Sequence, residues 1–324
     1  MNPFSKATTK DCRTTPAVAW PDNKRFAFTV FDDTDGSTVE NVAPVYDFLA
    51  DCGFRTTKSC WVSDGDAAKG SCTGHTCDDA NYLQWLLQLQ SRGFEIGWHG
   101  ATWHGSPRDM TLQGLDKFAK LFGHFPYAAA NHSKNDEAMY WGEHRLTGVY
   151  ARLYNLATRN RHRGRFRGHI ESDLHFWGDL CKKHIKYFRN FVFQDINTLK
   201  CCPLMPYHDS RRPLVNYWFA SSNGAEITAY LKCLSERNQD RLEREGGACI
   251  MYTHFASGFT EGKSLSPQFV GLMKRLADKG GWFVPVHTLL DYLQKVQGDC
   301  RISDAQRRRL EGKWFFEKLR VGSN

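Results

Sequence analysis

Four apolar runs in this chain stop at side chains able to do chemistry. "RFAFTVF" (25–31) is followed by Asp32 and Asp33, "FEIGW" (94–98) by His99, "FPYAAA" (125–130) by Asn131 and His132, and "ACIMYT" (248–253) by His254. Carboxylate and imidazole together are a donor set for zinc and other divalent ions, and one Asp with two His leaves coordination positions open for water and substrate. An ion held that way lowers the pKa of water and polarises a carbonyl. A second carboxylate beside the ligand has the chemistry of a general base, and a histidine across the site that of a general acid. One histidine at a strand end is an ordinary polar terminus. Four such ends together describe a metal-assisted hydrolase.

The elements that must position these groups alternate. The runs above, with 188–193 and 282–286, read as buried parallel strands. Between them, 39–53, 77–93 and 266–281 carry apolar residues at helical spacing and end in glycine, and Asp78 and Asp79 are N-cap candidates for the second. Strand and helix in alternation predict an α/β architecture with a parallel sheet. In an α/β barrel the C-terminal strand ends converge on one face, where the active site gathers.

"TVFDDTDG" (29–36) resembles the "TFDDG" motif of polysaccharide deacetylases, the NodB-homology group also known as carbohydrate esterase family 4. "EIGWHGATWH" (95–104) resembles their second motif and "CIMYTHFASGF" (249–259) their last. "LMKRLADKGGWFVPVHTLLDYL" (272–293) is similar to their closing helix, strand and helix. The match spans roughly 25–135 and 245–295. The resemblance implies a distorted (β/α) barrel of about seven parallel strands that removes an acetyl group from an N-acetylated sugar. It implies Asp32 as general base, Asp33 and His99 as ligands of a divalent metal, and His254 as general acid. Zinc is the metal expected, with cobalt or nickel as substitutes.

Three positions depart from the family pattern. Its second histidine belongs at Trp103, whereas the chain has His104 one place later. His104 is the third ligand expected, and His132 the alternative. Asn131 stands where the family carries an arginine that positions the base, so a hydrogen bond replaces a charge. Thr34 and Asp35 are inserted before the glycine, and Asp35 is able to take either aspartate's role.

The segment 136–245 has no counterpart in the family and reads either as a specificity region or as an ordinary half of the barrel. Asp173, His208 and Asp209, with Asp35 and Trp103, are the candidates there and nearby for contacting substrate. Trp141, Trp177 and Trp218 fit core as well as a sugar platform. Arginines in "RNRHRGRFRGH" (159–169) suit a phosphate-bearing substrate if they face the pocket, and a solvated face otherwise; "RRRLEGKWFFEKLR" (307–320) is the other basic run. The net charge of +8 comes with no nucleic-acid motif, so no nucleic-acid partner is expected. Hydrophobic residues at 41% exclude a disordered chain, yet no run reaches membrane-spanning length.

The eleven cysteines show no repeating frame and are expected as free thiols. Cys60, Cys72 and Cys77 around His75 read as a polar loop, with a structural zinc as the rival. The first residues lack a secretory apolar stretch, which points to the cytoplasm. The organisation expected is an N-terminal extension (1–24), the barrel (25–295) and a basic C-terminal tail (296–324). The function expected is sugar deacetylation in cell-surface polysaccharide or lipopolysaccharide biosynthesis. The alternatives are a metal-free carbohydrate-binding barrel and a hydrolase of a non-sugar C–N bond. The oligomeric state is not legible.

Overall fold

The computed structural model describes residues 18–262 and 264–321, so most of the expected extension 1–24 lies outside the described residues. The strands in chain order are β1 (Ala27–Asp32), β2 (Thr57–Cys60), β3 (Glu95–Trp98), β4 (Ala128–Ala129), β5 (Tyr187–Phe193), β6 (Tyr207–His208), β7 (Tyr217–Asn223), β8 (Ala248–Thr253), β9 (Thr260–Glu261), β10 (Ser264–Leu265) and β11 (Cys300–Arg301). Seven of them close a parallel ring in the order β1-β2-β3-β4-β5-β7-β8, with β8 returning to β1 over Ala27↔Ala248 to Asp32↔Thr253. β6 pairs antiparallel to β7 outside the ring and carries β11, while β9 and β10 form a small hairpin. The expected barrel of about seven strands is the fold found.

The helices are α1 (Val39–Asp51), α2 (Ala80–Ser91), α3 (Arg108–Phe122), α4 (Gly148–Ala157), α5 (Gly178–His184), α6 (Thr198–Cys201), α7 (Ile227–Cys233), α8 (Glu236–Arg244), α9 (Pro267–Asp278), α10 (Val286–Gln297) and α11 (Asp304–Val321). Their starts follow local chemistry. Thr38 and Asn41 exchange side chain and backbone in a capping box at α1, and Asp79 accepts from the Tyr82 amide at α2. Edge-to-face aromatic contacts among Tyr46, Tyr230, Phe255, Phe259 and Phe269 fasten α1, α7 and α9 beneath the β8 end.

Three expectations about elements need correction. The run 282–286 is not a strand; only Trp282 bridges to Ala27. β2 was not foreseen because "TKSC" is polar, although all four residues are buried. The described part of the basic tail 296–324, as far as Val321, is packed against the barrel. Ser303 and Gln306 form a capping box that starts α11, and α11 packs against α4 and β5. Its Arg307 and Glu311 are buried in a network in which Arg212 pairs with Asp209 and with Glu311 at 2.9 Å, and Arg307 pairs with Asp209 at 2.6 Å. Glu311 also accepts from the Thr147 amide and hydroxyl, tying α11 to the start of α4. Such a network gains little over apolar packing but costs several kcal/mol to break on one side, so it fixes where α11 lies.

Candidate active site

The end of β1 splits adjacent aspartates between two environments. Successive strand residues point to opposite faces. Asp32 points away from the barrel axis and is fully buried. Its carboxylate takes Lys58 Nζ at 3.0 Å, the Tyr46 hydroxyl at 3.0 Å and the Phe255 amide at 2.8 Å. Burial pushes its pKa up against the opposing pull of Lys58. Asp33 points into the mouth of the ring, where Arg189 of β5 donates to both of its oxygens, at 2.9 and 2.5 Å. The expected general base, Asp32, is therefore enclosed behind the strand, while Asp33 lines the pocket. The arginine that pairs with an aspartate at this mouth is Arg189. Asn131 also lines the pocket, but its amide is used on Met139, giving to the carbonyl at 2.9 Å and accepting from the N–H at 2.7 Å.

The inserted residues place a third aspartate over the same mouth. The Ser37 amide closes a turn onto the Thr34 carbonyl, with Gly36 at φ +69°, a conformation that glycine adopts without strain. Asp35 sits at the corner of this turn, and three imidazole Nε2 atoms converge on its carboxylate. They belong to His132 at 2.9 Å, His99 at 3.1 Å and His254 at 3.5 Å. The rings come from the ends of β4, β3 and β8. His132 Nδ1 faces Asn135 Oδ1 at 2.9 Å and His254 Nδ1 faces the Ala225 carbonyl at 2.7 Å. Both acceptors fix the proton on Nδ1, which leaves a lone pair on Nε2 when the ring is neutral. A lone pair facing a carboxylate is repulsive unless a proton or a cation lies between.

Charge in the cluster follows that logic. Burial works against the charged His254 ring, but hydrogen bonding to Asp35 and the field of both aspartates outweigh it and hold the pKa at about 9. His132 moves the same way, with burial again overcome by Asp35. Burial would raise Asp35, yet the three imidazoles pull it well below the usual carboxylate range.

Among the described residues, no group of three or more His, Cys, Asp or Glu has the spacing of a ready-made metal cage. The donor chemistry nevertheless fits a cation. Asp35, His99 and His132 supply one carboxylate and two imidazoles, and the fixed Nδ1 of His132 is the outer hydrogen bond that metal-binding histidines use. His99 Nδ1 is buried with no partner. His104, the expected third ligand, is elsewhere: Nε2 accepts from the Asp66 amide at 2.8 Å and Nδ1 faces the Gly105 carbonyl at 2.9 Å. His132, from the next strand end, stands in its place. Asp33, expected as a ligand, is instead bound by Arg189, with His99 Nε2 3.8 Å away.

The other candidates scatter. Trp103 donates to the Asp64 carbonyl, Asp173 pairs with Arg167 and His175, His208 pairs with Asp299, and Asp209 is enclosed by Arg212 and Arg307. None of the four lines the pocket. Trp177 and Trp218 are core, whereas Trp141 lines the pocket. Arg165 and Arg167 of the first basic run pair with Asp136 and Asp173 instead of entering the pocket. Burial raises the pKa of the Cys72 thiol, and a hydrogen bond to Cys60, together with burial, raises that of Cys77; among the described residues these cysteines and His75 do not form a metal-holding group.

Sequence reasoning missed Arg189, Arg145, Tyr252 and Lys318, all of which line the cavity of about 260 Å³. One signal was available: Arg189 is a lone charge inside the apolar run "YFRNFVF", and a charge buried in a strand needs a partner.

No protein-family model and no curated protein matches the chain. Among solved structures, the chain is similar to a protein from Mycobacterium smegmatis assigned as a polysaccharide deacetylase, with 11% identity, a TM-score of 0.52, and 90% of this chain and 98% of that one covered. Puue allantoinase and a Pseudomonas aeruginosa PAO1 protein assigned as a polysaccharide deacetylase each superpose at 11% identity and a TM-score of 0.47, covering 87% of this chain and 95% of theirs. With a closed seven-strand parallel ring and this likeness, the chain has the polysaccharide-deacetylase type of (β/α) barrel fold.

Proposed function

We propose that the pocket hydrolyses the N-acetyl amide of a sugar, with a divalent ion, zinc by its donor set, held by Asp35, His99 and His132. The single observation that carries this reading is the convergence of three imidazole Nε2 atoms on the Asp35 carboxylate at the mouth of the barrel. When bound, such an ion polarises the acyl carbonyl and acidifies water. Asp33, clamped at both oxygens by Arg189, accepts the proton of the attacking water. As the new C–O bond forms and the C–N bond breaks, His254 gives its Nε2 proton to the departing amine. Its Nδ1 contact with the Ala225 carbonyl holds the ring in place with Nε2 toward the cluster. The likeness to a polysaccharide deacetylase supports a sugar substrate. A role in cell-surface polysaccharide or lipopolysaccharide biosynthesis, in the cytoplasm, is part of the same proposal.

The test is divalent metal per chain on protein purified without chelator, beside Asp35→Asn and His132→Ala, with acetate release from N-acetylated oligosaccharides as the activity readout. About one ion per chain, lost in both variants together with acetate release, supports the reading. A chain that binds neither zinc, cobalt nor nickel refutes it.

A further inference from the structure

The charge of the pocket is unbalanced away from the Asp35 cluster. Asp33 is neutralised by Arg189, and Asp35 faces the three imidazoles. Two more cations line the same cavity, Arg145 and Lys318. Arg145 ends a short 3-10 turn (Gly142–Arg145) and is 7% exposed. Its guanidinium carbon lies 3.4 Å from the centre of the Trp141 ring and 4.9 Å from that of Trp314. These rings occupy the planar faces of the guanidinium and leave its edge unmet: Nε and Nη2 are buried with no hydrogen-bond partner. That pair of nitrogens is the edge of the fork that matches two oxygens of a carboxylate or phosphate.

Lys318 reaches the cavity from the last turn of α11. The nearby Glu317 carboxylate is used on the Gln194 amide, at 2.5 Å. Burial, with the nearby Arg189 and Arg212 guanidinium groups, lowers Arg145 to about 9, and burial, with repulsion from Arg145, lowers Lys318 to about 8 against the pull of Glu317. A buried guanidinium whose Nε and Nη2 find no partner, beside a second partly buried cation, destabilises the fold unless an anion joins them. Of the basic residues first suspected of this role, at 159–167, Arg165 and Arg167 pair with Asp136 and Asp173, and none lines the cavity. The anion-binding chemistry sits instead on the turn before α4 and on the C-terminal helix.

We propose that Arg145 and Lys318 form an oxyanion subsite in the pocket, so that the molecule processed there is an N-acyl sugar bearing a phosphate or a carboxylate. The identity of the substrate rests on the hydrolase reading above; the binding of an anion does not. The experiment is calorimetric titration of the full chain with N-acetylglucosamine 1-phosphate, N-acetylneuraminate and neutral N-acetylglucosamine. Wild type, Lys318→Gln and Arg145→Gln are compared, with circular dichroism as a folding control. At least one anionic sugar is expected to bind tenfold or more tightly than the neutral one, and each variant to lose most of that preference. The arm that binds decides between phosphate and carboxylate.

Because Arg145 is buried between two rings, the half-buried Lys318 carries the test if Arg145→Gln does not fold. Equal binding of neutral and charged sugars, no binding of either anion, or a preference that survives Lys318→Gln overturns the subsite. An anionic sugar that binds as expected but never releases acetate refutes the deacetylase reading and leaves the subsite standing. Hydrolysis without any preference for anions does the reverse.

Discussion

Asp32 and Asp33 are adjacent in sequence, and their conservative replacements are expected to fail in different ways. In Asp32→Asn an amide N–H₂ replaces an oxygen that now faces the Lys58 ammonium and the Tyr46 hydroxyl. Lys58 is fully buried, and its remaining contact is the Ser37 hydroxyl at 2.9 Å. Stranding one partner of a buried ion pair costs about 3–5 kcal/mol. Unfolding entropy near 2.1 cal/mol/K per residue gives the 324-residue chain about 0.7 kcal/mol per degree, so Tm is expected to fall by about 4–7 °C. Asp32→Asn/Lys58→Met, which removes both charges, is expected to recover most of that loss. Asp33→Asn strands the buried Arg189 guanidinium in the same way, so a comparable Tm loss is expected. What sets it apart is the rate, which is expected to fall by about 10²–10⁴ if Asp33 is the base. Thermal unfolding and acetate release on the three proteins decide the matter. An Asp32→Asn chain with unchanged Tm and a rate reduced a thousandfold, beside an active Asp33→Asn chain, would refute the assignment.

Three further outcomes follow from the same geometry. His104→Ala is expected to leave metal content unchanged and to cost about 1 kcal/mol for the lost acceptor of the Asp66 amide, read by metal analysis and denaturant unfolding. Glu137 is buried, and its pKa is raised to about 7 because burial outweighs its hydrogen bonds from Ser106 and Asn135. A raised folded-state pKa contributes stability that is fully present below 4.5 and lost as pH rises through about 7. Stability is therefore expected to fall by up to about 3 kcal/mol across that window, and Glu137→Gln to flatten the fall in unfolding curves at pH 4.5 and 8. Glu311→Ala removes the acceptor that ties Arg212, Thr147 and α11 together, with an expected cost of about 3–5 kcal/mol and early proteolytic cleavage around 304–321.

The ring itself was legible. Apolar runs of strand length, helical spacing between them and chemistry at their ends describe a (β/α) barrel, and the strands over 27–32, 95–98, 187–193 and 248–253 lie where those runs are. β2 was hidden because Thr57, Lys58 and Ser59 serve polar partners inside the protein, so its burial leaves no apolar trace. The roles of the aspartates were hidden for a different reason. In a period-two element, whether a side chain faces inward depends on parity, and an error of one residue exchanges the two faces. Matching "DDTDG" to a five-residue motif placed the base and the ligand at 32 and 33. The roles proposed above fall on 33 and 35, because the turn at Gly36 carries Asp35 back over the mouth. Likewise, His104 is near His99 in sequence, but the barrel brings His132 beside it in space, with ring centres 5.4 Å apart.

The two halves of the pocket have different mechanical supports, and on the function proposed above this separates reaction from recognition. Asp33, Asp35, His99, His132, Arg189 and His254 all lie on or just after strands of the closed ring, where each neighbour fixes the next and a displaced group has nowhere to relax. Arg145 and Lys318 come from outside the ring. One sits on a 3-10 turn, and the other on a helix held by the Asp209–Arg212–Glu311 network. Loosening that network shifts Lys318 relative to the cluster without touching a strand. The effect belongs in KM for an anionic sugar, with kcat for the bound molecule set by the ring. Glu311→Ala thus separates the two supports: a chain that folds, keeps its metal and keeps kcat but needs more anionic substrate has lost recognition alone. A parallel fall in kcat and metal content would mean that the C-terminal helix holds the catalytic strands as well as the subsite.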